Sequence, residues 1–333
     1  MTANQMNADV AKLLAGLEGR RIDHVFFVAC GGSFAVMQPG KYLLDRHSAA
    51  LPSDCYNADE FVCRDPRTLT GNSLVILCSM TGTTRETLAA AEHARAKGAT
   101  TVGLSVDLGS PLARTVDFPV KFEAPYTTGI PIDAADSNYA RLYAIVMGLV
   151  KLYDGVDKLP ALLESLANLQ AAIDRAHVHF APKFADYAPR LAEEEVIYTV
   201  ASGASYGAAY SFAICVLMEM QWINSQAIHA NEFFHGPFEV LDENRAFILL
   251  VGLDETRRLE ERAEGFLHRF GSSQKIMVLD GKELDLSGID EEFRGNLLPL
   301  IFFDTLWRFA YRIADLRRHE MLEARRYMKK IGY

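Results

Sequence analysis

The chain has 333 residues, 50% of them hydrophobic, and a formal net charge of -9, with 34 Lys and Arg against 43 Asp and Glu. That size and balance suit two globular domains and argue against a nucleic-acid partner, whose binding depends on clustered Lys and Arg. Cys30, Cys55, Cys63, Cys78 and Cys215 are odd in number and contain no C-x-x-C pair, so they read as reduced thiols of a cytoplasmic protein; the polar N-terminus is no signal peptide, and the apolar run 246–253 is too short for a membrane span.

In chain order, Val10, Leu13, Leu14 and Leu17 share one side of a helix over residues 5–19. The run HVFFVAC (24–30) predicts a strand, followed by Gly31-Gly32-Ser33 and a helix to about Asp45. A second strand, LVILCS (74–79), leads through a Thr/Gly loop into a helix over Glu86–Lys97, with Gly98 as its C-cap. Strand TVGLSV (101–106) follows. Short apolar runs that do not alternate, set between helices, indicate buried parallel strands of a doubly wound sheet. Residues 139–153 read as a helix and 159–187 as a helix pair leading into the second half.

There the first theme returns. VIYTVASGASYGAAY (196–210) lies without gaps over HVFFVACGGSFAVMQ, matching Cys30 with Ser202, Gly31 with Gly203 and Ser33 with Ser205. LVILCSM aligns with FILLVGL (247–253) at almost the same offset, and TVGLSV answers KIMVLD (275–280). This is an internal duplication. The expected architecture is α/β: an N-terminal helix (1–20), a first lobe (21–155), a helical connector (156–190), a second lobe (191–310) and a C-terminal tail (311–333). Each lobe is expected to be a parallel doubly wound sheet flanked by helices.

Two loops of the first lobe suit an anion. Gly32 and Ser33 open a helix directly after a strand, where free N–H groups and the helix dipole favour negative charge. Ser79-Met80-Thr81-Gly82-Thr83-Thr84 offers hydroxyls around one glycine at a second such corner. The matching loop of the second lobe, Gly252-Leu253-Asp254-Glu255-Thr256, has lost most hydroxyls and gained two acids that would repel phosphate. One lobe is therefore expected to hold phosphate and the other to do something else.

The paired lobes, Cys30-Gly31-Gly32-Ser33 and the Ser79–Thr84 loop resemble the SIS (sugar isomerase) fold over nearly the whole chain. The stretch Asn231-Glu232-Phe233-Phe234-His235-Gly236-Pro237-Phe238-Glu239 and the tail Arg325–Tyr333 resemble the isomerase half of glucosamine-6-phosphate synthase. The likeness to fructosamine-6-phosphate deglycases, including the 6-phosphofructose-aspartate type, is greater. This resemblance implies phosphate contacts at Ser33, Ser79, Thr81 and Thr84, to which the loop adds Gly32 and Thr83. It also implies catalytic roles for Glu219, His235 and the tail lysine, Lys330. The chain departs from the pattern at Met80, where Gln is common, at Thr83, where S-x-S-G-E-T has Glu, and at Asn231, where Ser or Gly is frequent. It opens Met1-Thr2-Ala3, with no cysteine to serve as an N-terminal nucleophile, so glutamine-driven synthesis is not expected.

The implied reaction converts a fructosamine 6-phosphate to an aldose imine by proton transfer from C1 to C2. Hydrolysis of the imine gives glucose 6-phosphate and free amine. It needs an acid and a base beside adjacent carbons. Glu219 lies in the apolar run CVLMEMQW, where burial would raise its pKa and suit it as the acid. His235 suits the base, although the roles could be exchanged. Glu232, Glu239 and Tyr206 are further pocket candidates, as is Asn138, whereas His229 reads as structural. The histidines have no metal-site spacing, no dinucleotide motif occurs, and the reaction needs no cofactor. The expected partner set is a phosphorylated sugar-amine substrate and a second copy of the chain, in a homodimer with the active site at the subunit interface. An aldose–ketose or amino-sugar phosphate isomerase and a non-catalytic sugar-phosphate sensor are the alternatives.

Overall fold

Five short strands build the first sheet of the computed structural model, which describes residues 6–124, 132–328 and 330–331. They are β1 (His24–Ala29), β2 (Ser53–Asn57), β3 (Ser73–Cys78), β4 (Thr100–Ser105) and β5 (Phe118–Lys121), all parallel, in the order β2-β1-β3-β4-β5. Every residue of β3 and β4 is buried, as expected of central strands with helices on both faces. The edge strands differ. β2 reads Ser-Asp-Cys-Tyr-Asn, and β5 carries Pro119, which lacks the N–H that a central ladder position would need. Phe26, Phe61, Val75, Leu77 and Leu112 form part of the core on one face. The helix Arg85–Ala96 ends with Gly98 at φ +80°, whose N–H donates to Arg95 O at 2.9 Å, so the expected glycine stop is present.

The second sheet has β6 (Val196–Ala201), β7 (Asn224–His229), β8 (Ala246–Val251) and β9 (Ile276–Asp280), parallel in the order β7-β6-β8-β9. This is the first sheet's order without its fifth strand, among the described residues. The registers also coincide. Val28 lies opposite Leu77 in the first sheet, and Val200 opposite Leu249 in the second, a shift of 172 residues in both strands. The helices that follow, starting at Arg85 and Arg257, are offset by the same 172. The duplication thus runs in one frame, which pairs Gly82 with Asp254 and Thr84 with Thr256. The fold contains two compact units, Met1–Gln170 with Gly288–Asp290 and Ala171–Ser287 with Glu291–Tyr333.

The two copies diverge in the helix after the first strand. In the first unit Gly31–His47 is an α-helix of 17 residues. In the second, an α-helical turn (Tyr206–Ser211) widens into a π-helix over Phe212–Met220, closed by Gln221 N–H donating to Val216 O, five residues back. Among the described residues no helix is long and apolar enough to cross a membrane.

Candidate active site

The strand order of the first unit turns at β1 and β3, which run side by side with Ala29 opposite Cys78. Their C-terminal ends deliver the two loops singled out above to one place, where open α/β sheets hold their ligands. Ser33 and the 79–84 corner are therefore neighbours. Ser33 and Asn138 both reach the buried Cys78 thiol; burial pushes its pKa up to about 12 against these hydrogen bonds.

The second corner is rigidly held. Ser79 N–H donates to Leu104 O at 3.1 Å, Val106 N–H to Met80 O at 3.0 Å and Leu112 N–H to Gly82 O at 3.0 Å. Gly82 has φ +65°, and a Cβ there would sit 2.2 Å from Ser110 Oγ, so only glycine fits. The hydroxyls pair among themselves: Ser79 Oγ with Thr84 Oγ1 at 2.9 Å, and Thr81 Oγ1 with Thr83 Oγ1 at 2.7 Å. Neither Cys30 nor Thr84 caps its helix through a side chain. The first amides of helices Gly31–His47 and Arg85–Ala96 have no acceptor within their own helices. Gly31 has φ +55° and open space where its Cβ would stand. Amides, hydroxyls and an open approach make a receptor for an oxyanion.

In the second unit, Glu219 lies on the π-helix. The isolated, desolvated carboxyl expected from its apolar neighbours is not what the fold builds. Val216 and Leu217 are buried, but the Glu219 side chain is 24% exposed and accepts the Arg325 Nε–H at 2.8 Å. Arg325 also donates to Met321 O at 3.0 Å. The tail is tied to the same helix end by His319 Nε2 on Met220 O at 2.8 Å, by Gln221 Nε2 on Met321 Sδ at 3.3 Å, and by the Arg326 guanidinium 4.2 Å from the Trp222 ring centre. Trp222 itself has φ +57°, a strained position that redirects the chain into β7.

His235 is exposed in the turn between Glu232–Phe234 and Pro237–Val240, and its N–H donates to Glu232 O at 2.9 Å. Among the described residues its imidazole has no partner. Glu232 and Glu239 are exposed beside it, and Lys330 is exposed in the tail. Tyr206 stands with its ring 5.7 Å from His229, and burial raises its phenol pKa. His229 Nδ1 accepts Asn231 N–H at 3.2 Å, a structural contact as expected. Arg325 was missed by sequence reasoning as the partner of Glu219; the signal available was its place at the head of the tail motif.

Two parallel doubly wound sheets, the first with glycine- and hydroxyl-bearing loops at its switch point, define an α/β architecture of two repeated lobes. The chain belongs to the SIS-domain family. The SIS domain model matches residues 20–147, and 46% of positions are identical to the fructosamine deglycase FrlB of Bacillus subtilis (strain 168) over 99% of this chain and 98% of that protein. A fructoselysine 6-phosphate deglycase of Escherichia coli (strain K12) is 27% identical, covering 94% of this chain and 88% of that protein. The crystal structure of a Bacillus subtilis protein provisionally described as a phosphosugar isomerase superposes with a TM-score of 0.95, at 45% identity and 99% coverage of both chains.

Proposed function

We propose that the protein is a fructosamine-6-phosphate deglycase, acting in the cytoplasm as a homodimer. The observation that carries this reading is the 46% identity to a fructosamine deglycase along the whole chain. The oxyanion receptor supports a phosphorylated substrate: Gly32 and Ser33 with Ser79, Thr81, Thr83 and Thr84 would hold the 6-phosphate by N–H and O–H donors.

The net reaction is ketoamine plus water to glucose 6-phosphate plus amine. A base removes a proton from C1 to give an enaminol. Reprotonation at C2 gives the aldose imine, water adds at C1, and the amine leaves with a proton. We assign Glu219, which accepts the Arg325 Nε–H, as the base at C1 and His235 as the acid serving C2 and its oxygen, the exchanged form of the pair. Lys330 would approach the sugar oxygens, while Glu232, Glu239 and Tyr206 would border the amine.

The test is incubation with 6-phosphorylated fructosamines of aspartate, lysine, glutamine and asparagine, with glucose 6-phosphate and free amino acid measured. The expected result is both products in equal amounts from at least one substrate. Interconversion of aldose and ketose phosphates with no release of amine would instead establish the isomerase reading, which the description of the 45%-identical structure favours.

A further inference from the structure

We propose that the second unit keeps an oxyanion cradle of the same build as the first, and that its occupant is the chain's own Asp254 side chain. The inference stands on contacts inside the second unit and takes from the proposed function only the comparison between the two sets of loops.

The backbone of the cradle is conserved between the copies. Gly31 and Gly203 occupy the same position after the first strand, with φ +55° and +51°. Above Gly31 a Cβ would meet nothing within 4 Å. Above Gly203 it would meet Thr256 Oγ1 at 2.4 Å and the Asp254 carboxylate oxygens at 2.5 and 2.7 Å. The space open in one unit is filled by a carboxylate in the other. The common frame puts Asp254 where the first unit has Gly82, a residue with no side chain to intrude.

Asp254 is bound there as an anion would be. Oδ2 accepts Ala204 N–H at 2.9 Å, and Oδ1 accepts Thr256 N–H at 2.8 Å and Thr256 Oγ1–H at 2.6 Å. Ala204 and Thr256 lie at the two strand-to-helix corners, as Gly32 and Thr84 do in the first unit. Beside it the fully buried Glu260 accepts Ser202 N–H at 2.9 Å, the Ser202 hydroxyl and Gly252 N–H at 3.1 Å. Burial, the leading influence, pushes the Glu260 pKa up against the Ser202 hydrogen bond.

An independent sign of a ligand place is Ser205, the repeat mate of Ser33. It is fully buried, and its hydroxyl has no hydrogen-bond partner among the described residues. It faces the same spot: a Cβ on Gly252 would lie 3.5 Å from Glu260 Oε2 and 3.6 Å from Ser205 Oγ. A buried unpaired hydroxyl is costly, and in the first unit its mate Ser33 stands in the loop assigned to phosphate.

Removing the internal carboxylate should therefore create a site for a free oxyanion. The probe is inorganic phosphate and the protein is the full chain, carrying Ser79→Ala and Thr84→Ala to silence the first-unit loop. In that background Asp254→Gly with Glu260→Gln should bind one more phosphate per chain than its parent by isothermal titration. Asp254→Ala alone should melt below its parent in phosphate-free buffer and regain the lost melting temperature on phosphate addition, by more than the parent gains. An unchanged stoichiometry, with equal phosphate responses of the Asp254→Ala variant and its parent, overturns the proposal. The first-unit reading is judged separately, by whether Ser79→Ala with Thr84→Ala abolishes phosphate binding by the otherwise native chain.

Discussion

Replacing Arg325 by alanine should disable the carboxylate without touching the phosphate loops. Arg325 bonds Glu219 Oε1 at 2.8 Å and Met321 O at 3.0 Å, and its side chain is only 14% exposed. Charge-assisted hydrogen bonds of this kind contribute about 1.5–3 kcal/mol each. Without the guanidinium, Glu219 is free to adopt other rotamers, and a misplacement of about 1 Å costs on the order of 100-fold in rate. That corresponds to about 2.7 kcal/mol in the barrier. Glucose 6-phosphate release from a 6-phosphofructosamine, followed by a coupled dehydrogenase, should show kcat down about 100-fold with KM within about twofold. Arg325→Lys should fall between the two, because an ammonium restores the charge but not the planar fork. The reasoning fails if Arg325→Ala keeps kcat within about threefold of native while Glu219→Gln is inactive.

Gly31→Ala and Gly203→Ala form a paired test of the two cradles. Both place a Cβ at positive φ, at a cost of about 1–2 kcal/mol, but only Gly203→Ala also drives it into Asp254 and Thr256. Urea melts should show Gly203→Ala to be the more destabilised, and equal losses would contradict the filled cradle. Glu260 has a raised pKa in the folded chain, caused chiefly by burial. Its contribution to stability is therefore fully present below the unfolded value near 4.5 and is lost as pH rises through the folded value. The stability of native protein relative to Glu260→Gln should fall as pH rises above about 4.5 in urea titrations, and a constant difference would remove the argument. Thiol titration should find Cys63, the exposed cysteine, reacting first, because burial pushes Cys55, Cys78 and Cys215 up to about 12. Early labelling of Cys78 by peptide mapping would show that the β3 corner opens in solution.

The buried strands were legible because their composition is dictated by burial alone. HVFFVA, SLVILC, TTVGLS and AFILLV have helices on both sides, and apolar residues fill them without alternation. The strands that escaped, β2, β5 and β7, all lie at sheet edges, where one flank is free. Their sequences, SDCYN, FPVK and NSQAIH, carry polar residues or proline that a centre would exclude. The strand-to-helix corners after β1 and β3 were readable from their glycines and hydroxyls, since those residue types mark tight turns between a strand and a helix. The Glu219–Arg325 pair was not, because 106 residues separate the partners in the chain. The acids of the 252–256 loop were seen as repellent to phosphate. That one of them lies in the place of a bound anion depends on the distance from Asp254 to Gly203, which no local pattern encodes.

The widened winding over Phe212–Met220 makes the aim of Glu219 a matter of phase rather than of side-chain identity. A helix advances about 100° per residue. Deleting one residue between Ser211 and Glu219 and recovering ordinary α pitch would swing the carboxylate a little over a quarter of the way round the axis. Every amino acid that touches Arg325 would still be encoded, and the ion pair would be out of step. Gain or loss of a single codon in this segment is thus a route by which copies of this fold could acquire or discard such a carboxylate–guanidinium pair.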